Sequence, residues 1–166
     1  MEQDALHALY RCCQRELYLY LLSLCRNEAL AEDLLQETFL KALLALPPGH
    51  PNIRAWLYRV ARNLWLDFQR KNGRLVSTEE ALEPRSTEDP VEKILTDERT
   101  CLLYEALSHL EPRKREVLQM QYFGGLTQKE IGSILQIKPE YVRVLAMRGR
   151  KELRKWMEGH GYDELS

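Results

Sequence analysis

The chain has 166 residues, 45% of them hydrophobic and 30% charged, which suits one ordinary domain or two small ones and excludes wholesale disorder. No apolar run approaches the roughly 20 residues that span a bilayer, and the acidic start, Met1-Glu2-Gln3-Asp4, lacks the layout of a secretory leader, so none is expected. The net charge of −1 hides a division: residues 1–74 carry ten Lys or Arg against eight Asp or Glu, 75–100 three against eight, and 101–166 eleven against nine.

Helical periodicity governs the first part of the chain. Leu6, Leu9, Tyr10, Cys13, Leu17, Tyr20, Leu21 and Leu24 recur at spacings of three and four and trace one apolar stripe. A second stripe runs through Ala31, Leu35, Thr38, Phe39, Ala42 and Leu46, and it stops at Pro47-Pro48-Gly49-His50-Pro51, which no helix crosses. A third takes Ile53, Trp56, Leu57, Val60, Ala61, Leu64 and Phe68 and ends near Asn72-Gly73. Three amphipathic helices with short breaks share one core. Cys12, Cys13, Cys25 and Cys101 show no CxxC spacing, and three of them sit in apolar helical patterns. They read as reduced, packed thiols of a cytosolic protein.

From Leu75 to about Asp97 the pattern dissolves into acidic, Pro-containing sequence that offers little to bury and reads as a flexible linker. Periodicity resumes with Leu102, Leu103, Ala106, Leu107 and Leu110, halted before Pro112. A helix over 112–123 follows, with Val117, Leu118 and Tyr122 as core, broken by Gly124-Gly125. Thr127-Gln128-Lys129-Glu130 is a capping-box sequence opening a short helix that buries Ile131, Ile134 and Leu135. Gln136-Ile137-Lys138 forms a tight turn, and Pro139 opens a last helix that buries Val142, Leu145, Ala146, Gly149, Leu153 and Trp156. The fold expected is all-α: two small helical domains, 1–74 and 98–166, joined by an acidic linker over 75–97.

A short capped helix, a three-residue turn and a longer basic helix make the layout of a helix-turn-helix. Glu140, Arg143, Val144, Met147, Arg148 and Lys151 point away from the buried stripe of the last helix. They supply forked donors for guanine or phosphate, an acceptor for cytosine and apolar surface for thymine methyls. In the third helix, Arg54, Tyr58, Arg62, Trp65 and Gln69 interleave cations with rings, a mixture that suits unpaired bases and their backbone. Tyr58 and Trp65 read equally well as stacking platforms or as core. The loop before that helix adds His50 and Asn52 as polar groups for a splayed base. Catalytic readings find no support. The four His are scattered, no HExxH or GxSxG occurs, and no His/Cys cluster has zinc spacing.

Three motifs in order carry a family resemblance. The segment Ala31-Glu32-Asp33-Leu34-Leu35-Gln36-Glu37-Thr38-Phe39-Leu40-Lys41-Ala42 resembles the core-polymerase-binding helix of bacterial RNA polymerase sigma factors of the extracytoplasmic-function branch. Ala55-Trp56-Leu57-Tyr58-Arg59-Val60-Ala61-Arg62-Asn63-Leu64-Trp65-Leu66-Asp67 resembles the helix that melts and reads the minus-ten element. Leu110-Glu111-Pro112-Arg113-Lys114-Arg115-Glu116-Val117-Leu118, Gly125-Leu126-Thr127-Gln128-Lys129-Glu130-Ile131-Gly132, Val142-Arg143 and Arg148-Gly149-Arg150 resemble the domain that reads the minus-thirty-five element.

The resemblance implies core-polymerase contacts from Asp33, Gln36, Glu37 and Lys41. It implies minus-ten contacts from Asn52, Arg54, Tyr58, Arg59, Arg62, Asn63 and Trp65, and minus-thirty-five contacts from Lys138, Glu140, Tyr141, Arg143, Val144, Met147, Arg148 and Lys151. It further implies a cytoplasmic, non-enzymatic protein without cofactor or metal, whose partners are core RNA polymerase, promoter DNA and, where regulation uses one, an anti-sigma protein. Val144 and Leu145 stand where the family usually has a polar residue and an Arg. The competing reading, a helix-turn-helix regulator of the response-regulator output type, calls for an α/β receiver in the first half, where residues 1–73 hold no strand pattern.

Overall fold

In the computed structural model, residues 2–45, 52–72 and 98–160 are described, and every regular element among them is helical. The chain divides into two units, Met1–Thr87 and Glu88–Ser166. The expected linker over 75–97, the break over 47–51 and Leu46 lie outside the described residues.

The first unit contains α1 (Glu2–Cys25), α2 (Glu28–Ala45) and α3 (Ile53–Asn72), each packed on the other two. Helix α1 ends where Arg26 turns left-handed (φ 54°) and its N–H donates to the Leu22 carbonyl at 2.8 Å. Asn27 then caps α2, its Oδ1 accepting from the Leu30 N–H at 3.0 Å. Cys13, Leu17, Tyr20 and Leu21 meet Ala31, Leu35, Phe39 and Ala42 of α2 and Leu57, Tyr58 and Ala61 of α3 in a core from which all are nearly absent at the surface. The Tyr10 ring meets Phe39 edge-on at 4.8 Å. Thr38 is fully buried, and its hydroxyl is satisfied by donating to the Leu34 carbonyl at 2.7 Å.

Three expectations change here. Tyr18, Leu19 and Leu22 are buried as well, so α1 presents a wider apolar arc than one stripe. A helix that packs against two neighbours needs that arc. Ile53, expected in the core, is exposed at the first position of α3, before the helix has run far enough to cover it. The buried thiols Cys13 and Cys25 are free and desolvation pushes each up to about 11, which keeps them protonated and unreactive. Cys12 is exposed, not packed.

The second unit contains α4 (Glu98–Ser108), α5 (Pro112–Leu118), α6 (Gln128–Leu135) and α7 (Pro139–Gly159). The expected single α-helix over 112–123 is an α-helix that widens into a π turn at Gln119–Phe123, closed by the Gly124 N–H donating to the Gln119 carbonyl at 3.1 Å. The extra residue per turn rotates Tyr122 out of the core, where it is 58% exposed, and turns Met120 in, where it is fully buried. The buried Gln119 side chain donates to the Tyr104 hydroxyl at 3.2 Å. Leu153 and Trp156 are half-buried, and Met157 fills the core at that end of α7. The Trp156 ring stacks between His160 at 3.8 Å and His109 at 5.1 Å.

Candidate nucleic-acid interface

The turn between α6 and α7 is built from both of its ends. The capping box is present: Thr127 Oγ1 accepts from the Glu130 N–H at 3.1 Å, and Glu130 Oε1 accepts from the Thr127 N–H at 2.9 Å. Helix α6 stops where Gln136 adopts a left-handed conformation (φ 59°, ψ 46°). The Gly132 carbonyl then accepts from the N–H of Gln136 and, at 2.9 Å, from that of Ile137. The chain passes so close that a Cβ on Gly132 would lie 2.6 Å from the Ile137 carbonyl oxygen. Lys138 caps α7 and Pro139 takes its first position. On the far side, Gly149 lets α7 approach α5, where an added Cβ would meet Leu118 Cδ1 at 3.0 Å.

This packing fixes which face of α7 is outward. Val142, Leu145, Ala146 and Gly149 are buried, while Lys138, Glu140, Tyr141, Arg143, Met147, Arg148 and Lys151 are exposed and Val144 is half-buried. The side chains of Arg143, Arg148 and Lys151 make no hydrogen bond or ion pair with another described residue. Other basic residues of this unit are engaged. Arg113 donates to the Leu135 carbonyl at 3.1 Å, Lys114 pairs with Glu152 at 2.7 Å, and Arg150 donates to the Tyr122 hydroxyl at 3.2 Å. Structure therefore sorts the basic bunch into cations that hold the unit together and cations aimed outward.

Helix α3 opens with a cap, Asn52 Oδ1 accepting from the Ala55 N–H at 3.2 Å, so that oxygen is committed to the helix. Arg54 is also engaged: its Nη1 donates to both carboxylate oxygens of Glu16 in α1, at 2.8 and 2.7 Å. Tyr58 is 1% exposed. Its ring packs against Tyr20 at 5.1 Å and its hydroxyl donates to Glu16 at 3.4 Å, with burial holding the phenol well above its ordinary pKa. A stacking role for Tyr58 is thus corrected: almost none of its ring reaches the surface, and it is core. Arg59 and Asn63 are exposed, and Arg62 and Trp65 are half-buried, Trp65 lying nearly parallel to Phe68 at 6.1 Å.

On α2, Asp33, Gln36, Glu37 and Lys41 are all exposed and share one face. Sequence periodicity missed that Leu40 and Leu44 belong to the same face, 53% and 76% exposed, with Leu43 beside them at 52%. Their spacing of four along the row from Gln36 was the available signal. Among the described residues no three His, Cys, Asp or Glu are grouped to hold a metal ion, and no helix is long and apolar enough to cross a membrane.

Two family models match in the order of the two units: sigma-70 region 2 over residues 9–75 and sigma-70 region 4 over residues 106–155. The chain is 30% identical to the ECF RNA polymerase sigma factor SigM of Bacillus subtilis (strain 168) over 151 residues, 88% of this chain and 91% of the relative. It is 31% identical to the RNA polymerase sigma factor YlaC of the same organism over 161 residues, 93% of each chain. Among solved structures, the sigma factor RpoE bound to the anti-sigma factor NepR, from Bartonella quintana, matches with a TM-score of 0.71 at 21% identity, over 95% of this chain and 98% of that one. The fold and both regions are those of a transcription initiation factor. The chain belongs to the sigma-70 family of RNA polymerase sigma factors, in its extracytoplasmic-function branch.

Proposed function

We propose that the chain directs promoter-specific initiation by dividing the work among three helices, with α2 holding core RNA polymerase, α3 the opened minus-ten strand and α7 the minus-thirty-five duplex. The observation that carries this reading is the pairing of regions 2 and 4, in order, with a reading helix whose outward Arg143, Arg148 and Lys151 pair with no other described residue. The domains take the bounds 1–74 and 98–166, with 75–97 between them. The protein works in the cytoplasm beside polymerase and has no catalytic activity of its own. The complex of a structural relative with an anti-sigma factor supports an anti-sigma protein as a further partner. Run-off transcription with purified core polymerase tests the reading: added protein should redirect core to a discrete set of start sites, and absence of any redirection would overturn it.

On α2, the polar residues Asp33, Gln36, Glu37 and Lys41 fix orientation while the flanking leucines supply apolar contact, the usual division at a protein interface. Asp33→Ala combined with Gln36→Ala should reduce co-purification with core at least tenfold and leave the thermal stability of the chain unchanged, because both side chains are exposed.

On α7, the residues divide by their distance from the turn. Glu140, Arg143 and Met147 occupy the end that enters the groove first, with Lys138, Tyr141 and Val144 beside them, and Arg148 and Lys151 follow the backbone. Arg143→Ala should cost about 1–3 kcal/mol at one base pair and relax preference there, as read by selection from a random duplex pool. Lys151→Ala should weaken all sequences alike and lower the salt slope by about one unit.

A further inference from the structure

We infer that Glu16 is a positioning residue for the opened minus-ten strand: it grips one end of the Arg54 guanidinium and turns the other end outward toward a backbone phosphate. The inference rests on the reading of α3 given above.

Glu16 lies in α1, one residue before the fully buried Leu17, and its side chain is only 15% exposed. A carboxylate in that setting is costly unless paired. Burial raises its pKa, opposed by the charge and hydrogen bonds of Arg54 and by the Tyr58 hydroxyl. The pairing is end-on. Both carboxylate oxygens take the single nitrogen Nη1 of Arg54, at 2.8 and 2.7 Å, and Tyr58 donates to the same carboxylate from the core side. The Nε and Nη2 of Arg54 make no hydrogen bond or ion pair with another described residue, and its side chain remains 40% exposed.

A guanidinium offers five donors in a rigid fork, so a grip on Nη1 alone leaves the donors on Nε and Nη2 available at the other side of the fork. The remaining donors match a phosphate. Arg54 stands two residues after the cap of α3, where the partial positive charge of the helix start also favours an anion. Glu16 as a competitor that masks Arg54 until DNA arrives would be the more exposed partner and would occupy the fork; here it is the more buried partner and takes one nitrogen. A phosphate joins the pair without displacing it. Glu16, held from beneath by Tyr58, so links the core of the unit to a cation at the DNA surface.

The test uses the full chain assembled with core polymerase and a fork-junction DNA. Its single-stranded non-template overhang is recovered by selection on the wild-type holoenzyme. Affinity is measured across a salt series for wild type, Arg54→Ala, Glu16→Ala and the double variant, with thermal unfolding of each chain in parallel. Glu16→Ala should weaken binding about fivefold and lower the salt slope by about 0.7, the single-strand value for one lost phosphate contact. Arg54→Ala should do at least as much, and adding Glu16→Ala to it should change neither quantity further. Tighter binding by Glu16→Ala would identify a mask and overturn the inference. So would an unchanged slope, or losses that add in the double variant, since a purely structural residue would lower melting temperature and affinity without removing a phosphate contact. Should Glu16→Ala fail to fold, Glu16→Gln keeps the shape and removes the charge, and the same slope criterion applies. A wild-type holoenzyme that selects no overhang would overturn the sigma reading of α3 itself, an outcome distinct from these.

Discussion

Replacing Gly132 with alanine should destabilise the second unit by about 1–3 kcal/mol, the range for forcing an extra methyl into a packed site, and the clash lies at the upper end of that range. The opposing atom is a backbone carbonyl 2.6 Å from the added Cβ, and it cannot swing aside as a side chain would. That carbonyl belongs to Ile137, in the turn that sets the angle of α7, so relief comes only by moving the reading helix or unfolding the turn. At about 4–8 °C per kcal/mol for a unit of this size, the melting transition of this unit should fall by roughly 12–24 °C, and duplex DNA binding should fall with it. Hydrogen exchange of α6 and α7 in the full chain reads the loss where it occurs. Gly125→Ala is the control. Its φ of +66° costs a side chain about 1–2 kcal/mol of backbone strain, yet nothing lies within 4 Å, so the turn angle stays intact and DNA binding survives. Equal loss of binding in both variants would remove the special place given to Gly132.

Tyr58→Ala should unfold much of the first unit, because removing a fully buried aromatic costs about 3–5 kcal/mol. Its ring fills the space between α1 and α3 against Tyr20, and its hydroxyl satisfies Glu16 from the buried side. Core binding and strand opening should then fail together, with hydrogen exchange accelerated throughout α1 and α3. Trp65→Ala separates fold from function: the ring is half-buried and, among the described residues, stacks on Phe68 three residues on, so its loss should leave melting within about 1 kcal/mol of wild type. If Trp65 is the base-stacking aromatic of α3, permanganate-detected opening should fall while the fold persists, since one base–ring stack is worth about 1–3 kcal/mol. Unchanged opening in Trp65→Ala would leave the cations of α3 as its working residues.

Much of the helical order was legible because period, caps and breakers agree. The stripe through Cys13, Leu17, Tyr20 and Leu21 is buried, and the Thr127–Glu130 box has both of its reciprocal bonds. What escaped depends on information that periodicity does not carry. A π turn adds one residue without a composition signal, so a regular helical period puts Tyr122 inside and gives no sign of Met120 there. Tyr58 sat between two readings because an aromatic at a helical spacing is equally a core residue or a platform; only the arrival of Tyr20 and Glu16 from α1 decides it. The Glu16–Arg54 pair joins positions 38 residues apart, beyond any local pattern. The outward residues of α7 follow directly from its pattern, since a strongly amphipathic helix with Val142, Leu145 and Ala146 inward leaves a single face for Arg143 and Arg148.

The leucines on the outer face of α2 also bear on the life of the protein before it meets polymerase. Leu40, Leu43 and Leu44 stand more than half exposed beside one another, in a chain with a net charge of only −1 to keep copies apart. Such a patch is sticky toward any apolar surface. Molecules made in excess of their partner would self-associate or be taken up by chaperones and proteases, whereas those seated on a larger assembly would have the leucines covered.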